Sequence, residues 1–164
     1  MTEPSQPAPV GRTRVAEDAE ARGINIEFTS RPAAESLEAA AELLGITPAN
    51  LVKTLVVKRH DGTYLFALIP GDRQISWGKL RGVVGVNKLR MPDADAARAA
   101  TGYERGTITP LGSASKWPVY ADSSIVGERI AMGAGEHGLS AWVHADELIT
   151  GLDATVADIS ELVA

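Results

Sequence analysis

Two short stretches of this chain carry residue types that could do chemistry together. The first is NLVKTLVVK, Asn50 to Lys58, where strand alternation puts Lys53 on one face with Leu51, Leu55 and Val57. An ammonium among aliphatic side chains has two readings. Its stem can lie along the sheet while the charge snorkels into water. Alternatively it stands at the mouth of a cleft, where partial desolvation tightens its hold on an anionic or carbonyl oxygen. Alternation leaves both open. The second stretch is GTITPLG, Gly106 to Gly112. Its glycines allow close backbone approach and its proline fixes a turn, so successive N–H groups can converge on one oxygen. Such donors stabilise the oxyanion formed when an ester carbonyl is attacked. As a bare pattern, the loop fits a structural turn as well.

Other chemistries are poorly served. With no cysteine there is no disulfide, thiolate–metal site or cysteine nucleophile. His60, His137 and His144 lack the acidic spacing of a metal site. Ser140 has no nucleophile-elbow glycines beside it. GAGEHG, Gly133 to Gly138, is not followed by the Gly-Lys-Ser/Thr of a phosphate loop and reads as a turn. Trp77, Trp117 and Trp142 could stack on bases, but single tryptophans commonly serve packing.

The elements that must position these residues are legible in outline. Met1 to Arg12, with three prolines and no apolar period, reads as a flexible tail ahead of a domain over residues 13–164. Val15 to Arg22 reads as a short helix and Asn25 to Phe28 as a strand. In SRPAAESLEAAAELLG, Ser30 is the expected cap, Pro32 suits the first turn and Gly45 the exit. Lys53 to Lys58 and Tyr64 to Ile69 flank Asp61-Gly62, which predicts an antiparallel hairpin. Ser76 opens a helix with Trp77, Leu80, Val83 and Val84, VNKLRM is a short strand, and Pro92-Asp93 leads an Ala-rich helix stopped by Gly102. YERGTITPLGSASKWP is then a long loop, a common setting for function. Strands at Val119 to Asp122, Arg129 to Met132 and Ser140 to His144 follow, then a short helix Ala145 to Ile149 and ATVADIS as an edge strand or irregular segment. Interspersed elements with hairpin connections predict a single α+β domain on a curved, mostly antiparallel mixed sheet.

Composition agrees with one globular domain. The 164 residues are 45% hydrophobic and 23% charged, enough for a substantial core. The longest apolar runs are far short of the ~20 residues of a membrane span, and MTEPSQPAPVG has neither the basic nor the apolar region of a signal peptide, so a cytoplasmic location is expected. The net charge of −5 is unevenly spread. Residues 73–116 carry eight basic against three acidic side chains, whereas 117–164 carry one against eight. A basic middle in an acidic chain suits contact with a few phosphates rather than a long duplex, unless the charges are merely scattered on the surface.

Taken in order, KTLVVK, the hairpin with ALIPGD, NKLRM, ATGYERGTITPLGS, PVYADSSI and GAGEHGLS closely resemble the YbaK/EbsC-type aminoacyl-tRNA deacylases. Their fold also occurs as the editing domain inserted in bacterial prolyl-tRNA synthetases. The resemblance runs from about Ala33 to Ile149 and is most specific at Lys-Thr-Leu and at the TGY…GxxxPxG stretch. It implies hydrolysis of the ester joining a wrong amino acid to the terminal ribose of a tRNA. By position, Lys53 and Gly106 become the catalytic residues, and Tyr103, Thr107, Ile108, Pro110, Gly112, Gly133, His137 and Ser140 substrate-binding ones. It implies no metal or cofactor. The partners implied are the acceptor end of an aminoacyl-tRNA and an aminoacyl-tRNA synthetase, with no membrane and no DNA.

The chain departs from the family pattern near Gly133 and Ser140, where serine and aspartate are frequent, and near Glu136-His137, where a basic pair is frequent. Cysteinyl, alanyl and seryl esters, on proline tRNA or a related tRNA, are therefore all open, since one methylene in a pocket is worth only ~1–3 kcal/mol. The rival reading is a non-catalytic RNA-binding or synthetase-associated module with the same fold. A small-molecule ester or amide hydrolase is a third.

Overall fold

The computed structural model describes residues 11–163. The first helix, α1 (Gly11–Ala21), begins ahead of Val15, so Gly11 and Arg12 fold with the domain; the rest of the expected tail, residues 1–10, lies outside the described residues. Strand β1 (Glu27–Ser30) is displaced toward the C-terminus from the sequence expectation. The cap of α2 (Leu37–Leu44) is Ser36 rather than Ser30: its Oγ accepts the Ala39 N–H at 3.1 Å, and Gly45 closes the helix in the left-handed region. Pro32 thus precedes the helix instead of starting it.

The hairpin forms as read, with β2 (Val52–Arg59) paired to β3 (Tyr64–Pro70) and Lys53 opposite Ile69. The three-residue β4 (Arg73–Ile75) is a strand that the sequence pattern does not flag, whereas after helix α3 (Trp77–Val84) the two-residue β5 (Leu89–Arg90) falls within the short strand expected at VNKLRM. Helix α4 (Ala94–Thr101) is capped by Asp93, whose Oδ1 accepts the Ala96 N–H at 2.7 Å. Then come β6 (Val119–Asp122), β7 (Arg129–Gly133), β8 (Leu139–His144), α5 (Ala145–Leu152), β9 (Thr155–Ala157) and β10 (Ser160–Leu162). ATVADIS is therefore strand in part.

The strands make a five-stranded sheet in the order β5-β2-β3-β6-β9, a three-stranded sheet β1-β8-β7 and a ribbon β10-β4. The pairings β3–β6 and β6–β9 are parallel and the others within these sheets antiparallel, which gives the mixed α+β class. The main core lies between the larger sheets. Val52, Val56, Phe66 and Leu68 meet Ile130, Met132, Ala141 and Val143 there, with Val15, Ala19 and Leu148 contributed by helices. The opposite face of the hairpin has its own cluster, in which Val57, Leu65, Ala67 and Ile69 are covered by Ile75, Leu80 and Ile159. The two faces of β2 are thus both buried, as alternation of its side chains requires in a central position.

Candidate active site

A cleft opens along one edge of β2. Arg59 donates its N–H to Thr63 O across the hairpin at 2.8 Å, so alternate residues 57, 55 and 53 turn their backbone groups toward β3. Val52, Thr54 and Val56 turn theirs the other way. Among the described residues that edge is occupied only at its ends, by the bridge Leu51–Ala131 to β7 and by β5 at Lys58 and Arg59. Between them the two sheets part and leave a cavity of about 990 Å³, walled by Thr54 and Val56, by Met132 and Gly133 of β7, and by Gly106 and Ile108 of the long loop. Residues of α2 and α4 flank it.

Lys53 lines this cleft, but from an unexpected direction. The aliphatic face it shares with Leu55 and Val57 packs on the second cluster, whereas the loop belongs to the side of Val52, Thr54 and Val56. Lysine and loop therefore belong to opposite faces of β2, and both contribute residues to the lining along its open edge. The ammonium does not simply snorkel into water: Nζ donates to Arg73 O at 2.6 Å. Burial draws its pKa below the ordinary 10.5, with Glu38 and Asp72 pulling in the opposite direction. Arg73 is in turn fixed by Ser160, whose Oγ accepts from Nε at 2.6 Å, and lies 4.0 Å from the buried carboxylate of Asp122. Burial disfavours the charge of Asp122, yet hydrogen bonds from Ser124, Ser160 and the Ile159 N–H hold its carboxyl below the usual value. The lysine is thereby anchored through three strands.

The loop divides into a structural and an open part. Tyr103 is 2% exposed; its hydroxyl donates to Leu111 O at 2.7 Å, and burial pushes its pKa to about 12. Gly112 donates its N–H to Asp18 at 2.8 Å, and its carbonyl oxygen accepts from Arg14 at 2.6 Å, both partners lying in α1. Thr107 and Pro110 are buried, the Thr107 hydroxyl donating to Glu104 O. These four hold the loop and are not in the cleft wall. Gly106 and Ile108 are in it, and their N–H groups have no hydrogen-bond partner among the described residues. Gly106 has φ +88°, a conformation side chains rarely adopt. Gly133 has a different constraint, because a Cβ there would sit 2.6 Å from Ile108 O.

Of the other expected residues, Ser140 lines the cleft, 2% exposed, and its Oγ accepts from Arg31 Nε at 3.0 Å. His137 is exposed, pairs with Glu104 at 2.9 Å and is outside the cleft wall. Sequence reasoning overlooked Thr54, Arg31 and Arg105, all in the lining. Thr54 Oγ1 is buried without a partner. Its place beside Lys53 was the available signal; Arg105 adjoins Gly106, whereas Arg31 had none. Among the described residues no group of three His, Cys, Asp or Glu could hold a metal, and no helix is long and apolar enough to cross a membrane.

Three cations, a buried hydroxyl and two open N–H groups around an unpaired strand edge suit an anionic, carbonyl-bearing ligand. Comparison with known proteins points the same way. A proline–tRNA ligase from Citrifermentans bemidjiense is 37% identical over 102 residues, which is 62% of this chain but 18% of the ligase, so the match spans less than a fifth of that relative. A protein of Enterococcus faecalis, EbsC, described as a candidate Cys-tRNA(Pro)/Cys-tRNA(Cys) deacylase, is 29% identical over 76% of this chain and 77% of its own length. The crystal structure of a candidate trans-editing enzyme for prolyl-tRNA synthetase superposes with a TM-score of 0.83 at 26% identity, covering 94% of this chain and 99% of that one. Residues 31–150, which hold every cleft-lining residue described above, match the family described as the aminoacyl-tRNA editing domain, and this chain belongs to that family.

Proposed function

We propose that this protein hydrolyses the ester of a mischarged aminoacyl-tRNA carrying a small amino acid such as Cys, Ala or Ser, on proline tRNA or a related tRNA. The observation that carries the reading is that Lys53, Gly106 and Ile108 line one cleft, the two loop residues having N–H groups with no hydrogen-bond partner among the described residues. An aminoacyl ester is already activated, so orientation and charge stabilisation suffice without a protein nucleophile. Water, or a nucleophilic group of the substrate, adds to the carbonyl carbon. The developing oxyanion is received by the loop N–H groups, with the Lys53 ammonium supplying positive charge. The carbon–oxygen bond to the ribose then breaks and the proton given up by the nucleophile passes to the ribose oxygen, which restores the tRNA hydroxyl and releases the free amino acid when water attacks or its cyclised form when a substrate group does. The serines nearest the cleft are otherwise engaged, Ser36 in capping α2 and Ser140 with Arg31. The outward carbonyls of Thr54 and Val56 complement the α-ammonium of an aminoacyl group. We place the reaction in the cytoplasm, with a synthetase as a candidate partner.

The test is a panel of tRNAs charged with Cys, Ala, Ser or Pro, measuring which amino acid is released. Lys53→Ala should abolish release while circular dichroism stays native. Binding of aminoacyl-tRNA with no release from any member would instead favour the non-catalytic module, and release that ignores the tRNA a small-molecule esterase.

A further inference from the structure

A second depression adjoins the far end of β2. It encloses about 740 Å³ and is lined by Lys58 and Arg59 of β2, Arg81 of α3, and Lys88 and Arg90 around β5. Asp61 is the one acid in the lining, which also includes His60 and Asn87. Among the described residues none of the five cations makes a side-chain hydrogen bond or an ion pair within 4 Å. This differs from the rest of the basic middle segment, where Arg73 is tied to Ser160 and Asp122 and Lys79 to Asp158. The fold therefore sorts those charges, using some for structure and gathering Arg81, Lys88 and Arg90 with two more from the hairpin.

The groove and the active-site cleft are lined by adjoining stretches of the chain. Leu89 and Arg90 line the groove while the next residues, Met91 to Asp93, line the cleft. Along β2, Lys58 is five residues from Lys53, about 17 Å at the strand rise. That is the reach of a few nucleotides from a terminal ribose in the cleft. The groove offers no Phe, Tyr or Trp on which an unstacked base could lie. Its cations suit phosphates, which are bound without regard to sequence.

We infer that the Lys58–Arg59–Arg81–Lys88–Arg90 groove is the seat of the tRNA acceptor-stem backbone, gripping its phosphates while the aminoacyl end occupies the cleft. The inference rests on aminoacyl-tRNA being the substrate. It explains how a chain with a net charge of −5 holds a polyanion.

The experiment compares the double variant Arg81→Gln/Lys88→Gln with a control of equal charge change, Arg98→Gln/Lys116→Gln, whose exposed cations lie outside both cavities. Binding of uncharged tRNA is followed by fluorescence anisotropy against salt, and deacylation is measured on aminoacyl-tRNA and on an aminoacyl-adenosine. The groove variant should weaken tRNA binding roughly tenfold and flatten the log K against log salt slope by about 2, at ~0.9 per lost phosphate contact. KM for aminoacyl-tRNA should rise while the aminoacyl-adenosine reaction is unaffected. Equal losses in the control, an unchanged salt slope, or an equal loss on aminoacyl-adenosine would each overturn the groove assignment. If no ester is cleaved but the groove variant alone loses tRNA binding, the groove stands and the hydrolytic reading fails.

Discussion

Replacing Gly133 by alanine separates the geometry of the loop from the stability of the domain. Gly133 does not have a positive φ, so alanine incurs no backbone strain in β7. The cost is steric. The new Cβ would stand 2.6 Å from Ile108 O and 3.1 Å from Thr107 O, against 3.4–4 Å for ordinary contact. Both obstacles are backbone and cannot rotate away, so the loop must retreat by most of an ångström. Overpacking of this kind costs about 1–3 kcal/mol. The Ile108 N–H moves with its carbonyl, and a 1 Å misplacement of an orienting group can reduce a rate by about 10²-fold. Denaturant unfolding gives the first quantity and single-turnover release of the amino acid the second. A variant that loses stability but cleaves at the parent rate would show that the loop donors do not act on the reacting carbonyl. Gly106→Ala is the natural comparison. Nothing lies within 4 Å of its Cβ, and the penalty comes from φ +88°, about 1–2 kcal/mol.

Lys53 should act as a cation, so the rate should fall as pH rises through its folded pKa, below 10.5, and Lys53→Arg should show no such alkaline decline in a pH–rate profile. Because that pKa is depressed, the unfolded chain binds the proton more tightly, and this group's contribution to stability should rise with pH just below 10.5, as unfolding titrations of the parent and Lys53→Met would show. Tyr103→Phe leaves Leu111 O without its donor and should cost about 1–2 kcal/mol in denaturant unfolding. Tyr103 also stabilises the fold fully below pH 10 and loses that contribution toward about 12, so the variant should show less alkaline destabilisation. Asp122→Asn should cost about 1–3 kcal/mol at neutral pH and reduce deacylation through Arg73, with the parent's advantage fading as pH falls through the depressed carboxyl pKa. Parent-like activity in Asp122→Asn would remove it from the anchoring of Lys53.

Much of this was legible from local chemistry. Asp61-Gly62 set the hairpin, Asp93 and Gly102 bounded α4, and Lys53 and Gly106 to Gly112 stood out because an ammonium in an apolar strand and a Gly/Pro loop are both unusual. The strand β4 was missed, since its three residues are too few to show a period, whereas the two-residue β5 lies inside the short strand read at VNKLRM. Ser36 outcompeted Ser30 as a cap because the chain before it is committed to β1 and to Arg31-Pro32.

The sequence by itself determined the α+β class, the two chemical segments and the excess of basic charge in the middle of the chain. Only the tertiary structure decided which edge of β2 stays unpaired, and hence that Lys53 and the loop line one cleft from opposite faces. It also decided that Tyr103 and Gly112 are held by α1 while Gly106 and Ile108 keep open N–H groups. The reason is physical: alternation and turn propensity depend on neighbours a few residues away. Strand edges and backbone hydrogen bonds are completed by partners such as Asp18 for Gly112 or Ala131 for Leu51, far along the chain.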